Sequence, residues 1–380
     1  YPGNEGRQGI VLTEELPITF ERVLITENWI EACVIKTEGN AGLPSFIRDC
    51  TFARNGSPDY RIPGTIFLFH GDDGGTNNNY LLRLGTQISN CRFIENVTNH
   101  HHVEFGTTVR VNNCIFAGNQ VGVGAAGGFI ASAHQNEEWW RGPIISNSLI
   151  VGNSTGINGS GVRQGCGGVT LGSKAYLNNC IIWGNIGGDE QSSNGARGDS
   201  IYATAWSPGE INTCLIEGLD DGTFGYIQDE FGYFDCFDAD PMLMNPWGED
   251  GIIGTDDDDY RLGEGSPCID RGNNDYVQMD GADLDGDGDY YETLPLDYNY
   301  SWRFMDVTTV PDLGTSGNGY ENIVDLGPLE VPACPTCPGE RFWVNAIGGE
   351  WSTSLNWYPA KPGPASDTIF DLDADYTVSL

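Results

Sequence analysis

The sequence predicts an all-β solenoid, and three observations predict it. An octet recurs between residues 21 and 218, apolar and small residues alternate within it with period 2, and no stretch of any length there carries the 3.6-residue period of a helix. The octet reads RDCTFARN at 48–55, SNCRFIEN at 89–96, NNCIFAGN at 112–119, SNSLIVGN at 146–153 and NNCIIWGN at 178–185. ERVLITEN at 21–28 and INTCLIEG at 211–218 are weaker copies. The terminal asparagines Asn28, Asn55, Asn96, Asn119, Asn153 and Asn185 are spaced 27, 41, 23, 34 and 32 residues apart. The bare unit is therefore the shortest interval, and the longer ones carry insertions.

Each octet reads as a strand followed by a corner, because the alternation ends in Gly-Asn or a similar turn pair. Stacking such coils places like residues in ladders, with the turn asparagines hydrogen-bonded to one another along the stack. Five of the 11 cysteines, Cys50, Cys91, Cys114, Cys180 and Cys214, hold the equivalent inward position. Buried Cys acts as a small hydrophobe, and side chains pointing the same way from adjacent strands are poorly oriented for a disulfide, so a ladder of free thiols is expected. Cys334 and Cys337 form CPTC with no second CxxC or nearby pair of histidines, which favours a linker disulfide over metal.

Composition bounds the function. The chain has 380 residues, 53 of them glycine, about twice the usual share, and a net charge of −36 from 18 Lys and Arg against 54 Asp and Glu. With three lysines and no basic groove, nucleic acid is excluded as a partner. Abundant aromatics mean a folded chain, and no apolar run approaches the ~20 residues of a membrane span. Tyr1 starts abruptly and the strand-like alternation before Leu380 simply stops, so the chain reads as a fragment of a longer protein.

The NCxFxxN octets and the small-residue run GAAGGFIAS at 124–132 resemble the coils of the right-handed parallel β-helix, or pectin-lyase-like fold, in repeat-containing bacterial surface proteins. Residues 237–275, DLDGDGDYYE at 283–292 and IVDLGPLE at 323–330 resemble the tail that closes many such secreted proteins, although Pro328 departs from the usual small residue and aromatic there. GGEWSTSLNWYPAKPGPASDTIF at 348–370 resembles the opening of a strand-rich repeat domain of large secreted proteins. The resemblance implies export to the cell surface or the extracellular space. It divides the chain into a β-helix at 1–235, an acidic closing region at 236–330, a Cys/Pro linker at 331–347 and the start of a second β domain at 348–380.

Three sets of side chains are candidates for chemistry. In the closing region Asp283, Asp285, Asp287 and Asp289 alternate with turn-forming glycines and repel one another without a cation, which calls for calcium, a hard ion suited to oxygen ligands. Position 12 of an EF-hand reading is Leu294, so the loop is of another kind, completed by Glu292 or Asp297; Asp250, Asp256 and Asp258 around TDDDDY form a weaker second site. A catalytic alternative, a polysaccharide lyase or glycoside hydrolase, draws on Asp72 and Asp73 after the strand TIFLF with Arg92 and Arg110, although Asp-Asp before Gly-Gly is more often a turn. His100, His102 and Glu104 would share one strand face, where a solvated polar surface is the better reading than a metal site. The sequons at Asn96, Asn153 and Asn299 need no sugar where they coincide with the turn ladder.

Strand alternation also points Leu24, Thr51, Arg92, Ile115, Leu149, Ile181 and Leu215 outward, with Val151 and Trp183 two positions further along. The stripe Ile115, Leu149, Val151, Ile181, Trp183, Leu215 is too apolar to face water. Either the insertions or residues 236–330 fold back over it, or it docks a second copy or another domain of the same protein. The sequence thus reads as a calcium-stabilised structural or adhesive component of a secreted or cell-surface bacterial assembly, with surface polysaccharide as an alternative ligand, either turned over or bound without turnover.

Overall fold

A computed structural model describes residues 11–14, 18–28, 35–38, 45–56, 67–69, 85–98, 103–106, 108–121, 129–131, 142–157, 162–163, 165–188, 198–203, 209–229, 231–332, 340–343, 349–350, 357–358, 367–369 and 378–379. In it the octet becomes corner, strand, corner rather than strand and corner alone. The residue just before the inward position is left-handed in every copy: Arg22, Asp49, Asn90, Asn113, Asn147, Asn179 and Thr213 have φ between 46° and 55°. Asn and Asp tolerate this region better than other side chains, so their prevalence marks the corner. A three-residue strand follows, and the chain turns again through a second left-handed residue, Glu27, Arg54, Glu95, Gly118, Gly152 or Gly184, just before the terminal Asn.

These short strands assemble into three parallel sheets, each strand pairing with its equivalents in the coils before and after it. Sheet A runs from Val11–Glu14 to Gly225–Ile227 and sheet B from Thr19–Glu21 to Gly232–Phe234, each with eight strands; sheet C runs from Leu24–Thr26 to Leu215–Ile216 with seven. A three-stranded ladder beginning at Val97–Thr98 follows the second corner of the middle coils. The chain is thus all-β and solenoid-like, with one 3₁₀ turn, Asn274–Tyr276, as the only helical element among the described residues. Sheets A and B have eight rungs where about seven coils are expected from the sequence. The additional rung leads into Asp235 and Cys236, with Asp235 left-handed at φ 53°, a further copy of the corner hidden by the degenerate text FDCFDAD.

The inside of the stack repeats like its sequence. Phe52, Phe93 and Phe116 stack with centroids 4.7 Å and 5.0 Å apart, and Phe105 from sheet A meets the last two edge-on. Cys50, Cys91, Cys114, Cys180 and Cys214 are buried free thiols, as expected, and each donates to the carbonyl two residues earlier at 3.1–3.3 Å. Ser148 fills the same position in its coil and donates to Ser146 O at 2.8 Å, which explains why serine substitutes for cysteine there.

The asparagine ladder is continuous. Each terminal Asn Oδ1 accepts from both the backbone N and the side-chain Nδ2 of the preceding one, as between Asn96 and Asn119 (3.0 and 3.0 Å) and between Asn119 and Asn153 (3.0 and 2.8 Å). Each Nδ2 also donates into the coil before its own, Asn119 to Phe93 O and Asn153 to Phe116 O. The side-chain oxygen and nitrogen of Asn96, Asn119 and Asn153 are thereby both used.

Residues 241–332 do not extend the stack but lie along its side, over the corner between sheets B and C. They contain little regular structure beyond an antiparallel pair, Leu243–Asn245 with Asp259–Leu262. Ile253, Tyr260, Leu262, Cys268, Ile269, Val307, Leu326, Leu329 and Val331 form one apolar cluster with the outward stripe of sheet C. Ile115, Leu149, Val151, Ile181 and Leu215 are at most 2% exposed, and Trp183 packs partly buried at the edge of the cluster. The stripe is filled from within the chain by the closing region, one of the two alternatives, and the other, that these six side chains stand open to a second subunit or another domain, is corrected. Side-chain parity is as the alternation predicts; Leu24, beyond the reach of the lateral segment, is 63% exposed. Gly118 and Gly152 are required for the covering: a Cβ on Gly118 would lie 2.3 Å from Ile253 O, and one on Gly152 2.6 Å from the Ile253 side chain. Their equivalents Glu27, Arg54 and Glu95, which do not meet Ile253, take the left-handed φ with long side chains.

Beyond the lateral segment, Glu340–Trp343 pairs antiparallel with Trp357–Tyr358 and parallel with Asp367–Ile369, and Gly349–Glu350 pairs with Val378–Ser379. Strands therefore occur in the region where the sequence suggests a further β unit.

Asn119 and Asn28 give the ladder a direct test. Asn119→Ala removes an acceptor and a donor in a fully enclosed rung and leaves several partners unsatisfied, so it is expected to cost about 3 kcal/mol or more in equilibrium urea denaturation. Asn28→Ala, at the end of the ladder, is expected to cost about 1 kcal/mol. Equal costs would mean that the interior rungs draw no special stability from the ladder.

Candidate metal-binding acids of the lateral segment

The acidic loop is closed at its base before any ion is considered. Asp280 N donates to Glu292 O at 2.9 Å, and an isolated antiparallel bridge joins Met279 and Thr293. Between these ends the chain turns on Asp283 (φ 52°), Gly286 (φ 78°) and Gly288 (φ 90°), and a Cβ on either glycine would meet open space. These glycines serve backbone conformation, not close packing. Alternate carboxylates accept from the backbone two residues on, Asp285 from Asp287 N at 3.2 Å, Asp287 from Asp289 N at 2.6 Å and Asp289 from Tyr291 N at 2.9 Å.

This folding gathers two overlapping sets, each with one ligand oxygen per residue and all of them within 4.8 Å of one another: Asp280, Asp285 and Glu292, and Asp283, Asp285 and Asp287. Four of the five expected ligands, Asp283, Asp285, Asp287 and Glu292, belong to them, and Asp289 belongs to neither. Asp280 is the member that the sequence does not single out; it sits just before the alternating run and is 1% exposed. Its Oδ2 accepts from Leu284 N at 2.7 Å, whereas its Oδ1 and the buried Oε1 of Glu292 have no hydrogen-bond partner. Burial, then the surrounding Asp charges, pushes the Glu292 carboxyl up to about 7; burial likewise raises Asp280 to about 6. Two oxygens without donors, among charges that repel, form a set that a hard cation would complete.

The other candidates are arranged differently. Asp297, the alternative last ligand, faces away from the loop and accepts from Asn299 N, Ser301 N and Glu330 N at 2.8–2.9 Å. Asp250 and Asp258 accept backbone N–H groups within their own turn, Asp258 also the Tyr260 hydroxyl, while Asp256 is exposed 3.8 Å from Arg92. Asp250, Asp256 and Asp258 thus build the turn at 249–260 and do not converge on one point. Arg92 donates to Thr255 O and Arg110 to Val109 O and Gly142 O, so both guanidiniums hold backbone. Asp72, Asp73, His100, His102, Cys334 and Cys337 lie outside the described residues; Glu104 projects half-buried from the strand Val103–Phe105.

Sequence reasoning misses Arg303 entirely. It is fully buried, pairs with Glu330 at 2.8 Å, and donates to Asn113 Oδ1 at 2.6 Å and Pro328 O at 3.1 Å. Asp325 beside it accepts from Asp270 N and Val331 N, and Glu330 accepts from Asp325 N. Nothing in YSWRFMD sets Arg303 apart from the surface arginines. Glu330 thus pairs with the guanidinium directly, while Asp325 and Asp297 lie near it on backbone donors of their own.

No family model, no curated protein and no solved structure matches the chain. Among the described residues no helix is long and apolar enough to cross a membrane. The chemistry of the site therefore rests on its own geometry.

The Arg303 cluster sets a pH dependence. Burial is the main cause that raises all three acids, Asp297 to about 6, Asp325 to about 8, and Glu330 well above its ordinary value, with Arg303 pulling the other way. A carboxyl whose folded pKa exceeds its unfolded value holds protons that the unfolded chain has released, so stability falls as pH rises between the two values. In chelator-containing buffer the melting temperature is expected to fall between pH 5 and pH 8. A melting temperature that rises across this interval would show that Arg303 keeps all three acids ionised.

Proposed function

We propose that the chain is a right-handed parallel β-helix serving as a structural or adhesive part of a secreted or cell-surface bacterial protein, with calcium fastening the lateral segment to its side. The convergence of Asp280, Asp285 and Glu292, with two buried oxygens lacking donors, carries the calcium part of this reading. The structural part is supported by the use of the chain's own side chains: the described polar clusters, the asparagine ladder and the Arg303 network, join coil to coil or segment to coil. Arg48 adds a direct link beside the acidic loop by donating to Ala282 O and Asp283 O. An ion held by residues 280–292 would thus stiffen a loop already attached to sheet B.

A second reading, carbohydrate binding without turnover, is favoured by one observation. Half-buried Tyr202 and exposed Tyr226 occupy adjacent outward positions of sheet A with ring centroids 5.8 Å apart, an aromatic pair of the kind that stacks on sugar rings.

Calorimetry of the full chain with calcium and with chelator tests the first reading. Calcium is expected to raise the melting temperature and to protect residues 237–330 from protease, and Glu292→Gln is expected to remove most of that gain. A melting temperature and a digestion pattern indifferent to both would overturn it. For the second reading, retention on immobilised neutral or acidic polysaccharide is expected to be lost in Tyr226→Ala; release of reducing sugar or unsaturated product would instead indicate an enzyme.

A further inference from the structure

A separate acidic set lies elsewhere in the lateral segment. Asp270 is fully buried, and its backbone is committed on both sides: its N donates to Asp325 Oδ1 at 2.7 Å, and its O accepts from Leu313 N and Gly314 N at 3.0 Å each. These bonds, with Thr315 N to Gly272 O at 2.9 Å, fold residues 306–313 over it. One oxygen each from Asp270, half-buried Asp306 and exposed Asp312 then lie within 4.8 Å of one another. Neither oxygen of Asp270 has a hydrogen-bond partner, and among the described residues none of the three carboxylates has an ion pair. The adjacent cation, Arg271, is turned over the Phe237 ring at 4.6 Å.

An ionised carboxylate buried without donors costs several kcal/mol, so Asp270 must be either neutral or neutralised by something that is not protein. Burial, then the charges of Asp306 and Asp312, pushes its carboxyl up to about 7, against a weaker pull from the nearby Val307 amide, which does not reach hydrogen-bond geometry. A proton satisfies one oxygen of one acid and leaves the repulsion of the other two. A hard cation meets all three at once: oxygens bound to one calcium ion at 2.3–2.6 Å stand at most about 5 Å apart, which matches the observed clustering. The exposed side of Asp312 leaves room for the waters that complete such a shell.

We propose that Asp270, Asp306 and Asp312 form a second divalent-cation site, of calcium type, independent of the loop at 280–292. Its position gives it a distinct task. Cys268, Ile269 and Val307, within two residues of its ligands, pack in the apolar cluster over sheet C. The ion would therefore hold the turn at 268–272 against the loop at 306–313 and keep both seated on the coils.

Calcium titration of the metal-stripped full chain by calorimetry, compared among wild type, Asp312→Asn, Asp270→Asn and Glu292→Gln, decides it. Two classes of site are expected in wild type. Asp312→Asn, which changes an exposed side chain and leaves the fold intact, is expected to weaken one class at least about tenfold and spare the class lost in Glu292→Gln. Asp270→Asn is expected to do the same if it folds, and Asp312→Asn decides if it does not. A single class of site, abolished by Glu292→Gln and untouched by Asp312→Asn, would overturn this inference and leave the proposed function standing. No calcium binding at all would overturn both.

Discussion

The buried left-handed corner is the constraint on which the rest of the structure depends. A stack of three-residue strands turns at least twice per coil, and each turn takes backbone N–H and C=O groups out of the sheet ladders and buries them. Without partners such groups cost about 1–3 kcal/mol each. Asparagine meets this cost with one side chain: its Oδ1 accepts two bonds from the preceding rung, and its Nδ2 donates both onward and back. The interval between corners can then vary from 23 to 41 residues without disturbing the stack, because insertions leave from elsewhere in the coil.

The other corner, between sheets B and C, uses the same chemistry for a different end. Asn113 and Asn179 are left-handed there, and each passes one Nδ2 bond to the preceding corner, at Asn90 Oδ1 and Asn147 Oδ1. The second Nδ2 hydrogen of each is free for the lateral segment, and it goes to Leu296 O and Asn273 O at 2.9 Å and 3.0 Å. Arg303 donates to Asn113 Oδ1 and Asn273 N to Asn179 Oδ1, so two rungs of the solenoid serve as polar docking points. The apolar stripe beside them supplies most of the driving force, about 1.5–3 kcal/mol for each fully buried Ile or Leu. The polar points fix the register in which that surface is covered.

What the sequence made legible follows from which interactions are local or periodic. Repetition exposed the coils, the inward cysteines, the terminal asparagines and the parity of Ile115 through Leu215, because each of these is set by strand alternation and repeats in like form. Asp283, Asp285, Asp287 and Glu292 were legible because they crowd one short loop. Asp280 was not, since its role comes from the pairing of its backbone with Glu292 across the loop. Asp270, Asp306, Asp312 and Arg303 were illegible for a stronger reason: their partners lie tens of residues away and are chosen by the irregular path of residues 241–332, which has no period to read. The need of the stripe for cover was plain and residues 236–330 were one candidate for it, but the same irregularity hid which of their side chains supply the cover.

The acidity of the chain acquires a local meaning in this arrangement. Across its exposed surface a net charge of −36 is screened within roughly 10 Å at ordinary ionic strength, and it favours solubility over any specific fold. In the lateral segment the acids are instead brought to oxygen–oxygen distances at which screening by water fails. The segment meets this in two ways. Around Arg303 one carboxylate, Glu330, pairs with the buried guanidinium, and Asp297 and Asp325 beside it are held by backbone amides. At Asp280 and Glu292 the amides are too few, and oxygens remain without donors. The same segment therefore holds itself to the solenoid with an internal cation at its centre, while in its outer acidic loop buried carboxylate oxygens find no partner in the protein, which is where the proposed calcium would act.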